Sequence, residues 1–420
     1  MHNKSKESKV INFGCRLNSY ESESIKDLIK KNNIQNTIVF NTCAVTNEAE
    51  RQARQAIRKY KRENPEMKIV VTGCSAQINS RSYLSMGIVD NVIGNNEKVE
   101  NFTWKNLNKL EHNYVKNIME VKKINHNIVE NFDGMARAYV EVQQGCNHRC
   151  TFCSIPYGRG NNRSAPVGLI VNRVRNLVEK GFNEIVLTGV DITDYGIDLP
   201  GKPSLSRMIK RLLKLIPNLK QLRLSSIDCA EVDDDFWDLL CSEKRFMPHL
   251  HISLQSGDNM ILKRMKRRHT REEAINFCNR AKKLRPNIVF GADLIAGFPT
   301  ETDEMFNNTC KLIEECKILL LHVFPYSKRE MTPAKKMPQI PENVIKQRAK
   351  KLRSIGEKNI SNYLQTLVGE KKVTLIEKSF ENYSIGKTQE YIPIKIDKKL
   401  DEGMLINVKI KNVKDKILYA

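Results

Sequence analysis

Short apolar segments alternate with polar, helix-like segments along the first 95 residues of the chain. The apolar segments predict strands at 10–13, 37–40 and 68–71. The polar segments predict amphipathic helices at 19–31 and 47–63, with Asn47 as the N-cap of the second. This order predicts an α/β domain with an open, doubly wound, Rossmann-like parallel sheet. In such sheets the site lies beyond the carboxyl ends of the strands.

A longer alternation follows a polar, weakly periodic segment that we interpret as a linker. Six strands are predicted at 138–142, 184–187, 221–224, 250–254, 288–294 and 319–324. Helical patterns separate them; the one at 166–180 places Ile170, Val174 and Leu177 on one face. Six β-α units predict a partial, open relative of the eight-fold barrel, with its chemistry on the loops after the strands.

The pattern changes again near the end of the chain. A basic helix is predicted at 343–359, followed by closely spaced strands at 373–377, 383–387, 391–396 and 404–411. Strands at this spacing, with turn residues and no helix between them, predict a small all-β barrel. The predicted domains are therefore 1–105, 132–362 and 363–420, with the linker at 106–131.

The composition fits a folded, basic protein of several domains. Its 420 residues exceed one ordinary domain, and 40% hydrophobic residues suffice for packed cores, which excludes wholesale disorder. Lys and Arg total 70 against 48 Asp and Glu, a formal charge of +22 that favours polyanionic partners. No apolar run approaches the roughly 18 residues of a membrane span, and the polar start lacks a signal-peptide pattern. We expect a soluble, cytoplasmic protein with no membrane partner.

Cysteine spacing gives the first indication of chemistry. The chain has 11 cysteines, an odd number that argues against a disulfide framework. Cys146, Cys150 and Cys153 form a C-x3-C-x2-C motif just after a predicted strand. This spacing also suits one face of a buried helix, but Gly145 and Pro156 favour a loop. Structural zinc takes four ligands, whereas three thiolates suit a 4Fe-4S cluster whose open iron can chelate the amino and carboxylate groups of a small molecule.

A second set of cysteines lies in the first domain. Cys15, Cys43 and Cys74 each follow a predicted strand closely, so in a parallel sheet they emerge at one edge. Three converging thiolates suit a second open cluster; the alternative is three unrelated small hydrophobic residues. The other cysteines are predicted to be buried thiols, namely Cys229, Cys241, Cys278, Cys310 and Cys316. Strand residues His249 and His251 are predicted to be structural.

The first triplet resembles that of the radical S-adenosylmethionine enzymes, and the two triplets together resemble the methylthiotransferases. The likeness covers nearly the whole chain and rests on long motifs such as GCRLNSYESE, NTCAVTNEAERQARQAIRK, VTGCSAQ, QQGCNHRCTFCSIPYGRG, HISLQSG, GFPTET and LHVFPYSKR. It implies that the central domain is a partial (β/α)6 radical-SAM barrel. It also implies that the terminal barrel is an RNA-binding TRAM domain.

Several motifs bear on the branch of this family. GCRLNSYESE and LTGVDITDYG are most similar to the enzymes that modify N6-threonylcarbamoyladenosine at tRNA position 37. Relatives acting on isopentenyladenosine more typically carry a Gln-Asn-Val-Asn-Ser-Tyr-type stretch at 190–195. Those acting on a ribosomal protein usually carry Pro-Lys-Asn at 16–18, where this chain has Arg16-Leu17-Asn18. Both remain alternatives, and a non-catalytic iron-sulfur protein that binds tRNA is a third.

The resemblance implies the cofactors and the reaction. Cys146, Cys150 and Cys153 would bind the radical 4Fe-4S cluster, and the three cysteines of the first domain an auxiliary 4Fe-4S cluster. Two S-adenosylmethionines are consumed: one methylates a sulfur associated with the auxiliary cluster, and the other yields the radical that removes hydrogen from adenine carbon 2. Methylthio transfer to that carbon completes the reaction. An external electron donor, flavodoxin- or ferredoxin-like, is required, and no catalytic residue is assigned beyond the clusters.

Residues near the ends of the predicted strands are candidates for the S-adenosylmethionine pocket, namely Gly189, Ser225, Ser253, Gln255 and Asp293. Many radical enzymes have an acid in the element after the second strand, but here it reads Thr188-Gly189-Val190. Ordinary capping or hydrogen bonding inside the barrel is the alternative role for the polar residues.

Basic clusters are candidates for phosphate contacts with the tRNA anticodon loop. The densest comprises Lys263, Arg264, Lys266, Arg267 and Arg268. The segment 201–223 and the C-terminal barrel are also basic, although a solvated helix face is the usual explanation for such runs. Bases in single-stranded loops can be splayed out, and an open barrel edge would admit such an adenosine.

Overall fold

Five parallel strands form the N-terminal sheet of the computed structural model, which describes residues 6–124 and 135–420. The strands lie in chain order: β1 (Lys9–Asn12), β2 (Thr37–Thr42), β3 (Lys68–Gly73), β4 (Asn91–Ile93) and β5 (Asn113–Tyr114). Helix α1 (Arg16–Lys31) packs through Ile25 on Val39, whereas α2 (Asn47–Glu63) packs through Ile57 on Phe40. Because successive residues of a strand face opposite ways, the helices cover opposite faces. The predicted open parallel sheet is confirmed.

Several local features of this domain differ from the sequence-based expectation: α1 begins at Arg16, before the predicted 19, and β4 was not predicted. The N-cap of α2 is Thr46, whose Oγ1 accepts a hydrogen bond from Ala49 N at 3.1 Å, so the prediction of Asn47 was wrong by one residue. Strand β5 lies inside the segment predicted as a linker and pairs with β4; residues 125–131 of that segment lie outside the described residues. Short helices complete the domain: α3 (Cys74–Ile78), α4 (Ser80–Leu84) and α5 (Asn101–Lys105).

The central domain contains six main parallel strands in chain order, as predicted. Three form one sheet, β6 (Ala138–Glu141), β9 (Glu184–Thr188) and β10 (Gln221–Leu224). Three form the next, β11 (His249–Gln255), β12 (Val289–Ala296) and β13 (Ile318–Pro325). Parallel bridges from Leu222 to Phe246 and from Ile227 to Ile252 connect the sheets. The six strands thus form the predicted partial (β/α)6 barrel.

Helices and two short strands surround this arc. The strands β7 (Gln143–Gln144) and β8 (Arg163–Ser164) pair antiparallel and close one loop. The helices are α6 (Ile155–Arg159), α7 (Val167–Glu179), α8 (Leu205–Leu215), α9 (Asp234–Ser242), α10 (Asn259–Met265), α11 (Arg271–Leu284) and α12 (Asp303–Glu315). In the longer helices the buried residues recur at helical spacing, so each helix has one apolar face. This face packs on the strands of the arc.

The C-terminal domain is a curled, mixed sheet of six strands. Helix α13 (Glu342–Thr366) leads into it and extends beyond the predicted end at 359. The strands are β14 (Lys371–Ser379), β15 (Ser384–Thr388), β16 (Pro393–Ile396), β17 (Leu405–Lys409), β18 (Asn412–Lys414) and β19 (Ile417–Tyr419). Strands β17 and β18 are the sheet edges. The predicted barrel is therefore a half-barrel, and its last two strands were missed because each has only three residues.

No helix among the described residues is long and apolar enough to cross a bilayer.

A buried charged network connects the first two domains. Glu21 on α1 accepts hydrogen bonds from Arg159 Nη1 on α6 at 2.8 Å and from Lys98 Nζ at 2.6 Å. All three side chains are at most 2% exposed. Burial alone would raise the pKa of Glu21, but Arg159 and Lys98 outweigh it and hold the pKa at about 2. Glu21 is therefore ionised, and its charge stabilises the buried Lys98 of its own domain and the buried Arg159 across the domain boundary.

Replacing this central acid should destabilise the chain strongly. Glu21→Gln keeps the shape but leaves Arg159 and Lys98 buried without their counter-charge, which should cost about 3–5 kcal/mol of unfolding free energy. Urea unfolding followed by circular dichroism measures the change. The matched control is Glu48→Gln, which removes an exposed partner of Arg51 and should leave the unfolding midpoint unchanged. Equal midpoints for the two variants would contradict a role for the network in holding the domains together.

Candidate functional site

The cysteines of the C-x3-C-x2-C motif lie in the loop between β7 and β8, not on a helix. Cys146 N donates to Gly160 O at 3.1 Å and Cys153 N donates to Cys150 O at 3.0 Å. Gly145, just before Cys146, has a φ of +68°, and a Cβ there would lie 2.0 Å from Asn161 O. This residue must be glycine for the loop to close as it does.

The second triplet meets at the carboxyl edge of the N-terminal sheet. Cys15 is the N-cap of α1, Cys43 follows β2, and Cys74 begins α3 directly after β3. Gly73 makes this last turn with a φ of +100°, and a Cβ there would lie 2.2 Å from Thr42 O. The sequence predicted this convergence because each cysteine follows a parallel strand.

Both triplets suit a metal group that takes thiolates. All six cysteines are free. Burial, and then the neighbouring Cys74, raise the pKa of Cys43 to about 12, and burial, and then Cys150, raise the pKa of Cys153 to about 12. Grouped thiols in such surroundings become thiolates only with a nearby positive charge, and bound metal ions deprotonate coordinating thiols. The donor sets therefore fit clusters with cysteine ligands.

Helix α6 brings the two triplets together. It begins two residues after Cys153, and its Gly158 lies so close to α3 that a Cβ there would be 3.2 Å from Cys74 Cβ. Ser154 Oγ donates to Ala44 O at 3.0 Å, beside Cys43. The loop of the first triplet therefore rests directly on the cysteine-bearing edge of the N-terminal sheet.

A cavity of about 480 Å³ opens between these domains. Cys15 lines it from the N-terminal domain and Cys153 from the central domain. All the residues predicted for the S-adenosylmethionine pocket also line it, namely Gly189, Ser225, Ser253, Gln255 and Asp293. Ser225 Oγ is buried and has no hydrogen-bond partner among the described residues, so this hydroxyl is available to a ligand.

Two histidines join Asp293 in the wall of the cavity. Asp293 Oδ1 lies 2.9 Å from His251 Nε2 and 3.2 Å from His322 Nδ1. Burial opposes ionisation of Asp293, but the hydrogen bonds from these rings outweigh it and lower the pKa of the carboxyl. The sequence alone does not reveal this cluster of Asp293, His251 and His322, because the three residues come from three strands that are far apart along the chain. Alternation along β11, β12 and β13 indicates only which side chains can face inward, whereas the register that pairs Asp293 with His322 is known from the structure.

Most of the densest basic cluster is engaged within the protein. Arg264 donates to Thr300 Oγ1 at 2.7 Å, Arg267 donates to Asp228 Oδ2 at 2.7 Å, and Arg268 contacts Glu231. Lys263 and Lys266 are exposed. In the segment 201–223, Arg223 is buried against Glu184. The arginines looked like surface residues in the sequence because their partners, acidic for Arg267, Arg268 and Arg223 and Thr300 for Arg264, lie far away along the chain.

The remaining cysteines lie apart from the cavity. Cys229, Cys278 and Cys316 are buried as predicted, and Cys310 is partly buried. Cys241 is exposed, so the prediction of a buried thiol was wrong there. It lies one residue before the end of α9, beyond the buried Leu239 and Leu240.

Comparisons with known proteins match nearly the whole chain. The Radical SAM superfamily matches residues 140–313, and the uncharacterized protein family UPF0004 matches residues 7–94. Threonylcarbamoyladenosine tRNA methylthiotransferase MtaB of Rickettsia prowazekii is 52% identical over 97% of this chain and 95% of its own length. The Aquifex aeolicus protein of the same name is 36% identical over 95% and 98%. The tRNA-2-methylthio-N(6)-dimethylallyladenosine synthase of Ehrlichia canis is 30% identical over 90% of each chain.

A solved structure shares the fold. The radical S-adenosylmethionine methyltransferase TsrM from Kitasatospora setae, solved with tryptophan and a S-adenosylmethionine analogue, superimposes with a TM-score of 0.57 at 13% identity. The match covers 79% of this chain and 75% of that chain. At this identity the likeness concerns the fold alone.

Gly145 offers a direct test of the cysteine loop. Gly145→Ala would place a methyl group against Asn161 O and force an L-residue into the left-handed region, which costs about 1–2 kcal/mol before any clash. We expect less iron bound per chain after anaerobic reconstitution, measured by metal analysis. The control is Gly168→Ala, at an open position on α7 with no atom within 4 Å of the added Cβ. Full iron content in the Gly145 variant would show that the loop tolerates another backbone path.

Proposed function

This chain belongs to the threonylcarbamoyladenosine tRNA methylthiotransferases of the radical S-adenosylmethionine class, and we propose that it methylthiolates carbon 2 of N6-threonylcarbamoyladenosine at position 37 of tRNA. The observation that carries the proposal is the shared cavity, because one cysteine of each triplet lines it. A substrate there lies within reach of two different metal groups. A reaction that joins hydrogen removal to sulfur transfer needs this arrangement.

We assign one 4Fe-4S cluster to Cys146, Cys150 and Cys153 and a second to Cys15, Cys43 and Cys74. When bound, these groups and S-adenosylmethionine supply radical hydrogen abstraction and the methylthio sulfur. The chain's own part is to hold the two sites at a fixed spacing and to orient the ligands between them. Helix α6, packed against α3, performs the first of these tasks.

We propose that S-adenosylmethionine binds along the strand ends of the cavity, with Gly189, Ser225, Ser253, Gln255 and Asp293 around it. The unpartnered Oγ of Ser225 supplies a hydrogen-bonding group. The carboxylate of Asp293, kept ionised by His251 and His322, accepts hydrogen bonds from ligand hydroxyl or ammonium groups. Position 189 must be glycine, since a Cβ there would lie 2.7 Å from Gln143 O.

The tRNA anticodon loop is the proposed macromolecular substrate. Aromatic side chains in the cavity wall, among them Phe152 and Phe324, offer surfaces on which a splayed base can stack. Of the densest basic cluster, the exposed Lys263 and Lys266 are available for phosphates, whereas Arg264, Arg267 and Arg268 are engaged in the fold. We further propose a flavodoxin- or ferredoxin-like electron donor and a cytoplasmic location, where tRNA is modified.

The two cysteine triplets should be separable by mutation. Cys150→Ala should abolish both 5′-deoxyadenosine formation and methylthio transfer in the reconstituted enzyme given S-adenosylmethionine and dithionite. Cys43→Ala should spare 5′-deoxyadenosine formation and abolish transfer. Cys241→Ala, the exposed control, should preserve both. Liquid chromatography with mass spectrometry measures both products. Transfer by the Cys43 variant would remove the second cluster from the mechanism, and absence of 5′-deoxyadenosine from the unchanged enzyme would favour a non-catalytic role.

The nucleoside made in cells identifies the substrate. In a strain lacking this gene, 2-methylthio-N6-threonylcarbamoyladenosine should disappear from digested tRNA, and its unmethylthiolated precursor should accumulate. The isopentenyl nucleoside should keep its methylthio group. The Ehrlichia canis relative, 30% identical, is named a tRNA-2-methylthio-N(6)-dimethylallyladenosine synthase. The specific alternative is therefore the reverse pattern, in which the isopentenyl nucleoside loses its methylthio group and the threonylcarbamoyl nucleoside keeps it. Persistence of the threonylcarbamoyl product would contradict the proposal.

A further inference from the structure

Arg16 lies where all three domains meet at the cavity. It is the first residue of α1, next to Cys15, and it lines the cavity. Its Nη1 donates to Ser225 O at 3.3 Å, and its Nη2 donates to Tyr391 Oη at 3.2 Å. The guanidinium also lies 5.3 Å from the centre of the Tyr391 ring. The side chain is partly buried and held in one position by the central domain and the C-terminal sheet.

Within 6–124 and 135–420, the charge of Arg16 has no acidic partner, unlike the other charged groups of the cavity wall. Arg159 is paired with Glu21, and Asp293 with two histidines. The recorded partners of Arg16 among the described residues are a carbonyl and a hydroxyl, which are neutral. Two hydrogen bonds leave several of the five guanidinium N–H donors free. A partly desolvated, preorganised cation with free donors favours an anionic ligand, above all a carboxylate bound through two hydrogen bonds.

The surroundings of Tyr391 reinforce this preference. Arg137 and Arg223 lie over the same ring at 5.4 and 4.9 Å, and Lys387 lies over it at 3.6 Å. Glu184 pairs with both of these arginines, and Glu377 pairs with Arg137 as well. Both acids are therefore engaged with other cations and do not offset the charge of Arg16, which faces the cavity.

Among the ligands of the proposed function, the modified adenosine itself carries a carboxylate that Arg16 could bind. The threonylcarbamoyl group ends in a carboxylate, whereas an isopentenyl group and unmodified adenosine have none. The carboxylate of S-adenosylmethionine would have a separate binding site at the cluster that we assign to Cys146, Cys150 and Cys153. Resting on the proposed function, we propose that Arg16 binds the carboxylate of the threonylcarbamoyl group and thereby selects this nucleoside over adenosines without a negative charge at N6.

Two synthetic anticodon stem-loops test this site directly. One carries N6-threonylcarbamoyladenosine at position 37, and the other carries the same nucleoside with its carboxylate converted to a carboxamide. The full-length reconstituted enzyme should bind the carboxylate loop about 10- to 100-fold more tightly, the range expected for hydrogen bonds to a charged group. Arg16→Gln should bind both loops equally, and Arg16→Lys should keep part of the preference. Fluorescence anisotropy gives Kd.

Two controls separate this role from general effects. Arg58→Gln removes an exposed charge from α2 of the same domain and should keep the full preference for the carboxylate loop. Formation of 5′-deoxyadenosine by Arg16→Gln, with an unchanged KM for S-adenosylmethionine, shows that the clusters and cofactor pocket are intact. In the transfer assay, the ratio of kcat/KM between the two loops should follow the ratio of affinities.

Three results would overturn the inference: equal binding of both loops by the unchanged enzyme, an equal loss on both loops in Arg16→Gln, or a raised KM for S-adenosylmethionine in that variant. The second would assign Arg16 to a tRNA phosphate or to the fold, and the third to the cofactor. If the carboxylate loop is bound selectively through Arg16 but receives no methylthio group, the carboxylate site stands and the proposed function fails.

Discussion

The buried interaction of Glu21 with Arg159 and Lys98 joins the two domains that line the cavity. Glu21 lies on the helix that begins next to Cys15, and Arg159 ends the short helix that follows Cys153. The charges therefore connect the elements that carry the two cysteine triplets. Asn18 Oδ1 accepts a further hydrogen bond from Arg159 Nη2 at 2.8 Å. Replacing a whole buried network of this kind by apolar residues would change the stability little, whereas breaking it leaves buried charges unpaired. The network therefore disfavours other arrangements of the two domains.

Specific placement matters here because each domain supplies half of the site. Parallel strands bring Cys15, Cys43 and Cys74 to the carboxyl edge of the N-terminal sheet. The central arc brings its loop cysteines and polar strand ends to the other side of the cavity. A shift between the domains would separate the two halves without disturbing either fold. The charged contacts are geometrically demanding, since Arg159 reaches both oxygens of Glu21 at 2.8 and 3.0 Å, and they oppose such a shift.

The sequence was informative wherever a local pattern determines the structure. Strand periodicity predicted the first three strands of the N-terminal sheet and the six main strands of the central domain. A cysteine after each of those first three strands was enough to predict that Cys15, Cys43 and Cys74 lie at one edge. Contacts between strands that are far apart along the chain could not be predicted from the sequence. The His251–Asp293–His322 cluster depends on the register of three strands, and the engagement of Arg267 with Asp228 depends on how a loop returns to the barrel. A run of basic residues looks the same whether its partners are phosphates or buried carboxylates.

This ambiguity changes the meaning of the net charge of +22. Several arginines are buried in the described residues, and their charges serve the fold: Arg137, Arg159, Arg163, Arg173, Arg223, Arg329 and Arg348. Arg137 and Arg223 surround Tyr391 of the C-terminal sheet while pairing with Glu184 of the central arc. Arg16 reaches the same ring from the N-terminal domain. Because one tyrosine touches charged groups of both other domains, the C-terminal sheet is held at a fixed orientation to the cavity. An RNA bound on that sheet would therefore approach the cavity at a defined angle, set by cations that are buried within the fold.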